Sequence, residues 1–140
     1  MNFTKIIIDS DIKTKEELFS YIGQIFEEEK VVKNADDFII ALNEREAQIS
    51  TGLMDGIAIP HGKCDTVLSS GVLVIKLATP IAYETLDGSQ VKYVFALAIP
   101  EHSKNHLETL SQLSVKLMDP SCRKDLERTN TIEEINNIFA

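Results

Sequence analysis

The sequence predicts an α/β fold: a three-layer sandwich with a central mixed β-sheet and helices on both faces. Three observations carry that reading. Two long segments, Val72–Ala78 and Val91–Ile99, are almost uninterruptedly apolar, as strands covered on both faces are. Capped helical patterns precede them and others follow, so helices are available for both sides of a small sheet. The chain has 140 residues, 44% hydrophobic and 26% charged, as expected of one globular domain with one core over residues 1–140.

Lys5 to Ile8 is a short apolar run read as the first strand. Thr14-Lys15-Glu16-Glu17 has the form of a capping box, with Thr14 as N-cap and Glu17 reaching back. Leu18, Ile22, Ile25 and Phe26 then fall on one helix face, and Glu27 to Lys30 read as a solvated last turn. Asn34 caps a second helix, with Asp36 and Asp37 where the helix dipole favours negative charge. Phe38, Ile39, Leu42 and Ile49 form its apolar side. Ser50-Thr51-Gly52 stops it.

Gly56-Ile57-Ala58-Ile59-Pro60-His61-Gly62-Lys63 is the stretch around which the chain is organised. Ile57 to Ile59 read as a buried strand that Pro60 ends. Gly62 is expected to let the backbone turn and to leave the space beside His61 uncrowded. An imidazole is thus held at the rim of a sheet with room for a reactant, and it titrates near neutrality. Thr79-Pro80 is expected to end the Val72 strand, Asp87-Gly88 marks a turn, and the two long strands pair as a hairpin with a long loop. Leu107, Leu110, Leu113 and Leu117 give a third helix one apolar face, with His106 at its first turn, a natural anion position. Asp119-Pro120 opens a fourth helix. Thr131 to Glu134 is a second capping box, with Ile135, Ile138 and Phe139 inward.

Composition excludes several functions. The net charge of −8 disfavours nucleic acid and anionic lipid as partners. No apolar run approaches the roughly 20 residues that span a bilayer, and the N-terminus lacks a signal-peptide hydrophobic region. The chain reads as cytoplasmic, with Cys64 and Cys122 as free thiols. Cys64 stands near His61, but no local signature supports a Cys/His nucleophile. His61, His102 and His106 without an acidic cluster make a poor metal-hydrolase set, and metal analysis would decide it.

Arg45-Glu46-Ala47-Gln48-Ile49-Ser50-Thr51-Gly52, followed by Asp55 through Lys63, resembles the enzyme IIA domain of the fructose–mannitol class (type 2). These domains belong to the bacterial phosphoenolpyruvate-dependent sugar phosphotransferase system. The resemblance runs on through Leu86-Asp87-Gly88, the strand ending at Pro100 and the run from His106 to Ser114, so it covers essentially the whole chain.

The resemblance implies a phosphoryl relay. His61 matches the phosphorylated histidine, a tele-phosphohistidine. It would take a phosphoryl group from phospho-HPr and pass it to a cysteine of a IIB partner, with a IIC membrane transporter downstream. His106 matches a supporting histidine and Arg45 the arginine that stabilises charge. Thr51 is expected as an extra hydrogen-bond donor. No cofactor and no metal are implied. A neutral imidazole attacking in line, with donors around the phosphoryl oxygens, suffices for such a transfer. The surface around His61 is expected to be apolar and locally neutral or basic, so that an acidic domain can dock a phosphoprotein. A regulatory (nitrogen-type) paralogue phosphorylated on the same histidine is the alternative. A pure interaction module that takes no phosphate from phospho-HPr is a further one.

Overall fold

A computed structural model describes residues 1–102 and 106–140; of the side chains of His106 and Leu107 nothing is described. The element order is β1 (Lys5–Ser10), α1 (Lys15–Glu28), α2 (Ala35–Gln48), β2 (Ile57–Ala58), β3 (His61–Cys64), β4 (Gly71–Ile81), β5 (Val91–Pro100), α3 (His106–Leu117), α4 (Pro120–Glu127) and α5 (Ile132–Ile138). The sheet runs β1-β4-β5-β2, and β3 also pairs with β5. β4 and β5 are antiparallel. β1 is parallel to β4, and β2 and β3 are parallel to β5, so the sheet is mixed.

Alternation along the two long strands divides the core into two layers, because successive side chains point to opposite faces. Leu73, Ile75 and Leu77 of β4 and Val94, Ala96 and Ala98 of β5 pack with α1 and α2 through Leu18, Ile22, Phe26, Phe38 and Leu42. Val72 and Val74, with Tyr93, Phe95, Leu97 and Ile99, pack on the other side with Leu113, Leu117, Leu126, Ile135 and Phe139 of the C-terminal helices. The three-layer architecture follows directly.

The helix starts form for local reasons. Thr14, Asn34, Asp119 and Thr131 each accept a backbone N–H of the first turn. Glu17 reaches one residue further back than a capping box requires: its carboxylate accepts from the N–H of Lys13 at 3.0 Å. Glu27 is not merely solvated. Its carboxylate accepts from Ala35 N–H at 2.7 Å, at the positive end of α2, where a carboxylate is favoured.

Five expectations are corrected. Ile49 is 69% exposed, because α2 ends at Gln48 and Ile49 turns away extended. Leu110 is half-buried while Leu113 and Leu117 are fully buried. β4 continues through Pro80 to Ile81, with a register irregularity between Lys76 and Ile81 that accommodates the missing N–H. Pro60 does not end the edge of the sheet either: it separates β2 from β3, both of which pair with β5. Its carbonyl still accepts from Leu97 N–H at 3.0 Å. His61 is therefore the first residue of a strand. Gly62 lies within that strand and not at a turn. A Cβ there would stand 3.1 Å from the Phe38 ring and 3.3 Å from the Leu42 backbone nitrogen, so glycine allows α2 to close on β3.

Candidate functional site: a histidine at a broken sheet edge

β3 presents His61 and Lys63 on one side, while Gly62 packs beneath α2 on the other. The His61 ring is half-buried, and its Nδ1 lies 2.9 Å from the carbonyl oxygen of Ile59. A carbonyl only accepts, so Nδ1 carries the proton and donates. The lone pair is then on Nε2. Burial lowers the His61 pKa from its ordinary value; the Ile59 bond opposes that, the Arg45 charge adds to it, and Glu46 opposes it. The net direction is down, so the ring is neutral at cellular pH and its Nε2 is a nucleophile.

Two clefts flank the ring. One, of about 240 Å³, is lined by Arg45, Ser50, Thr51, Leu53, Ile59, His61, Leu110 and Ser114. The other, of about 200 Å³, is lined by Ala41, Glu44, Arg45, Gln48, His61 and Lys63. Arg45 belongs to both. Its guanidinium donates to the Ile49 carbonyl at 2.8 Å, which holds it across the open end of α2. It makes no salt bridge among the described residues. Leu53, Ile59 and Leu110 make the first cleft partly apolar, and Arg45 and Lys63 stand with Glu44 in the second. Two larger grooves, about 540 and 440 Å³, lie elsewhere. Size does not select them: neither contains a histidine, and the first carries Glu16 and Glu17, which repel a phosphoryl group.

Thr51 does not donate into the cleft. It is 6% exposed, and its hydroxyl lies 2.6 Å from Glu46 Oε1 and 2.7 Å from the Tyr83 hydroxyl. A carboxylate cannot donate, so the single Thr51 proton goes to Glu46 and Tyr83 donates to Thr51. Glu46 Oε2 accepts from Thr51 N–H at 2.9 Å and pairs with Lys15 Nζ at 3.0 Å. Burial pushes the Glu46 pKa up, but the Thr51 bonds and Lys15 outweigh it and leave the carboxyl below its usual range. Burial pushes the Tyr83 hydroxyl up, so it remains a neutral donor.

Cys64 faces the core beneath α2, opposite to His61. Burial raises its pKa, so the thiolate a nucleophile needs is disfavoured. Among the described residues, no group of three or more His, Cys, Asp and Glu side chains gathers to hold a metal ion, and no helix is long and apolar enough to cross a membrane. His106 opens α3; its side chain, with the anion position expected there, lies outside the described residues. His102 is exposed.

The family model for the phosphoenolpyruvate-dependent sugar phosphotransferase system, EIIA 2, matches residues 1–140. The chain belongs to this family. It is a phosphotransferase component of the EIIA 2 type. It is 42% identical over 102 residues to the nitrogen regulatory protein of Escherichia coli K12, covering 71% of this chain and 62% of that protein. It is 32% identical over 135 residues to the fructose-specific EIIABC component of Bacillus subtilis, covering 96% of this chain and 21% of that one. The solved structure of nitrogen regulatory protein IIA-Ntr from Neisseria meningitidis superposes with a TM-score of 0.89 at 33% identity, covering 98% and 94% of the two chains. E. coli IIA mannitol, in its complex with phosphorylated IIB mannitol, shares the fold, with a TM-score of 0.82, 22% identity and coverage of 99% and 95%.

The structure brings His61 and Arg45 of this EIIA 2 chain together around shared clefts. It adds Leu53, Leu110 and Ser114 to the lining, and Glu46 and Tyr83 behind it. Glu46 was legible only as the charged neighbour of Arg45. Tyr83, far off in sequence, carries no local signal.

Proposed function

We propose that the chain is a phosphohistidine carrier of the nitrogen-regulatory type, with His61 as the acceptor. One observation supports the chemistry above all: the Ile59 carbonyl holds Nδ1 as the donor and leaves Nε2 open to the clefts that Arg45 lines. In this reading phospho-HPr docks over the clefts. The Nε2 lone pair forms a bond to phosphorus as the donor P–N bond breaks, and that electron pair returns to the donor nitrogen. No proton moves, because Nδ1–H stays on the Ile59 carbonyl. Arg45 stabilises the equatorial oxygens, on which negative charge is spread in the transition state. His106 is proposed as a supporting donor from the resemblance.

The likeness to two nitrogen regulatory proteins shifts weight from the sugar-feeding role the sequence favoured to regulation by protein binding. The fructose-type relative, matched over 96% of the chain, keeps the second reading in place: onward transfer to a cysteine of a IIB partner. Both readings place one cytoplasmic domain, residues 1–140, between HPr and a further protein.

Intact mass after incubation with phosphoenolpyruvate, enzyme I and HPr tests the acceptor. Wild type and His106→Gln should gain one acid-labile phosphoryl group and His61→Gln none. Labelling of His61→Gln would contradict the assignment. Adding IIB proteins to the phosphorylated chain then separates the roles: rapid discharge to one of them supports sugar feeding, and retention supports regulation.

A further inference from the structure

We propose that Glu46 is the positioning residue for the His61 imidazole, acting through Thr51 and Ile59. The proposal rests on His61 being the phosphoryl acceptor, and it is carried by a continuous set of hydrogen bonds. Both Glu46 oxygens accept from Thr51, Oε1 from the hydroxyl at 2.6 Å and Oε2 from the N–H at 2.9 Å. The Thr51 carbonyl accepts from Ile59 N–H at 3.0 Å. The Ile59 carbonyl accepts from His61 Nδ1 at 2.9 Å. Ile59 and Pro60 lie between β2 and β3, so no ladder of their own fixes the Ile59 peptide against β5. The Thr51 segment supplies that restraint from the other side, where Gly52 bridges Ala58.

A carboxylate suits this place because it offers two acceptors and no donor. Glu46 also accepts from Lys15 Nζ at 3.0 Å, and its Oε1 stands 3.1 Å from the Tyr83 hydroxyl whose proton goes to Thr51, which places it between α1 and the segment after β4. It sits one residue after Arg45 on α2, so one helix end sets both the charge that faces the phosphoryl oxygens and the peptide that orients the nucleophile. Glu46 touches neither reactant in this arrangement. Its effect passes through the tautomer and direction of the His61 ring.

Nitrogen-15 NMR of the His61 ring reads the tautomer without any phosphoryl transfer, so it tests the link even if His61 is not the acceptor. Wild type should show Nδ1–H. Glu46→Gln places an amide donor against Thr51 and should give a mixture of tautomers. It should also lower the maximal rate of phosphoryl acceptance from phospho-HPr about ten- to a hundredfold, the scale of a small misplacement of reacting groups, with KM unchanged. Tyr83→Phe leaves both Thr51 bonds and should keep the tautomer. Should Glu46→Gln not fold, Thr51→Val replaces it, since valine keeps the shape and the backbone bond while losing the hydroxyl; it too should mix the tautomers. A folded Glu46→Gln or Thr51→Val with wild-type tautomer overturns the proposal, as does a slower rate with the tautomer unchanged.

Discussion

The Ile59 carbonyl and His61 Nδ1 lie 2.9 Å apart, two residues apart in the chain. Pro60 between them has no N–H and a fixed φ; its own carbonyl stays bonded to Leu97 of β5, while the Ile59 carbonyl accepts from the ring of the residue that resumes pairing. One short break in a sheet edge therefore sets a tautomer. It also explains why a histidine beginning a strand can keep a nitrogen for chemistry.

The pH dependence follows from the lowered His61 pKa. In the proposed relay the neutral ring is the acceptor, so phosphorylation should be flat down to the ordinary histidine value of about 6.5 and fall only below it. Between the folded-state pKa and 6.5 the unfolded chain binds a proton that the folded chain does not, so stability drops as pH falls through that window. His61→Gln should remove that part of the dependence. Denaturation of both proteins at a series of pH values checks it; identical pH slopes would contradict it.

Arg45 both faces the clefts and lowers the His61 pKa. Arg45→Gln should raise that pKa and slow phosphoryl acceptance about 10²- to 10³-fold, as loss of one preorganised donor does. NMR titration of the ring and single-turnover phosphorylation measure the two effects separately. An unchanged pKa would show that the guanidinium stands further off in solution.

Gly62 is a packing position. Ala at 62 would press its Cβ on the Leu42 backbone and the Phe38 ring, and only the ring can yield cheaply. Gly62→Ala should cost about 1–3 kcal/mol, in the range of overpacked cores, and should slow phosphorylation by shifting β3. Chemical denaturation reads the first effect and the phosphorylation assay the second.

Leu113 and Leu110 separate core from cleft on α3. Leu113 is fully buried, and Leu113→Ala should cost about 2–5 kcal/mol. Leu110 lines the cleft, and Leu110→Ala should cost about 1 kcal/mol while weakening docking of phospho-HPr. Equal costs would place Leu110 in the core after all.

The layers and helix starts were legible because burial and capping are written locally. Val72–Leu77 and Val91–Ile99 are apolar on both faces, and Thr14, Asn34, Asp119 and Thr131 sit three or fewer residues before the N–H they accept. His61 and Arg45 were legible from their motif. The joining of β2 and β3 to one edge was not, because Pro60 signals a stop without saying that pairing resumes. Nor was the turning of the Thr51 hydroxyl to Glu46, which depends on Tyr83 arriving from 32 residues away. Ile49 misled because the 3.6-residue pattern runs on past a helix end that only the backbone marks.

In the proposed relay His61 takes the phosphoryl group on Nε2 while Nδ1–H stays on the Ile59 carbonyl. Nitrogen-15 and phosphorus-31 NMR of the phosphorylated chain test this most directly. The structure predicts phosphorus coupled to Nε2 of His61 and a proton retained on Nδ1. Phosphorus on Nδ1, or on any other residue, would contradict it.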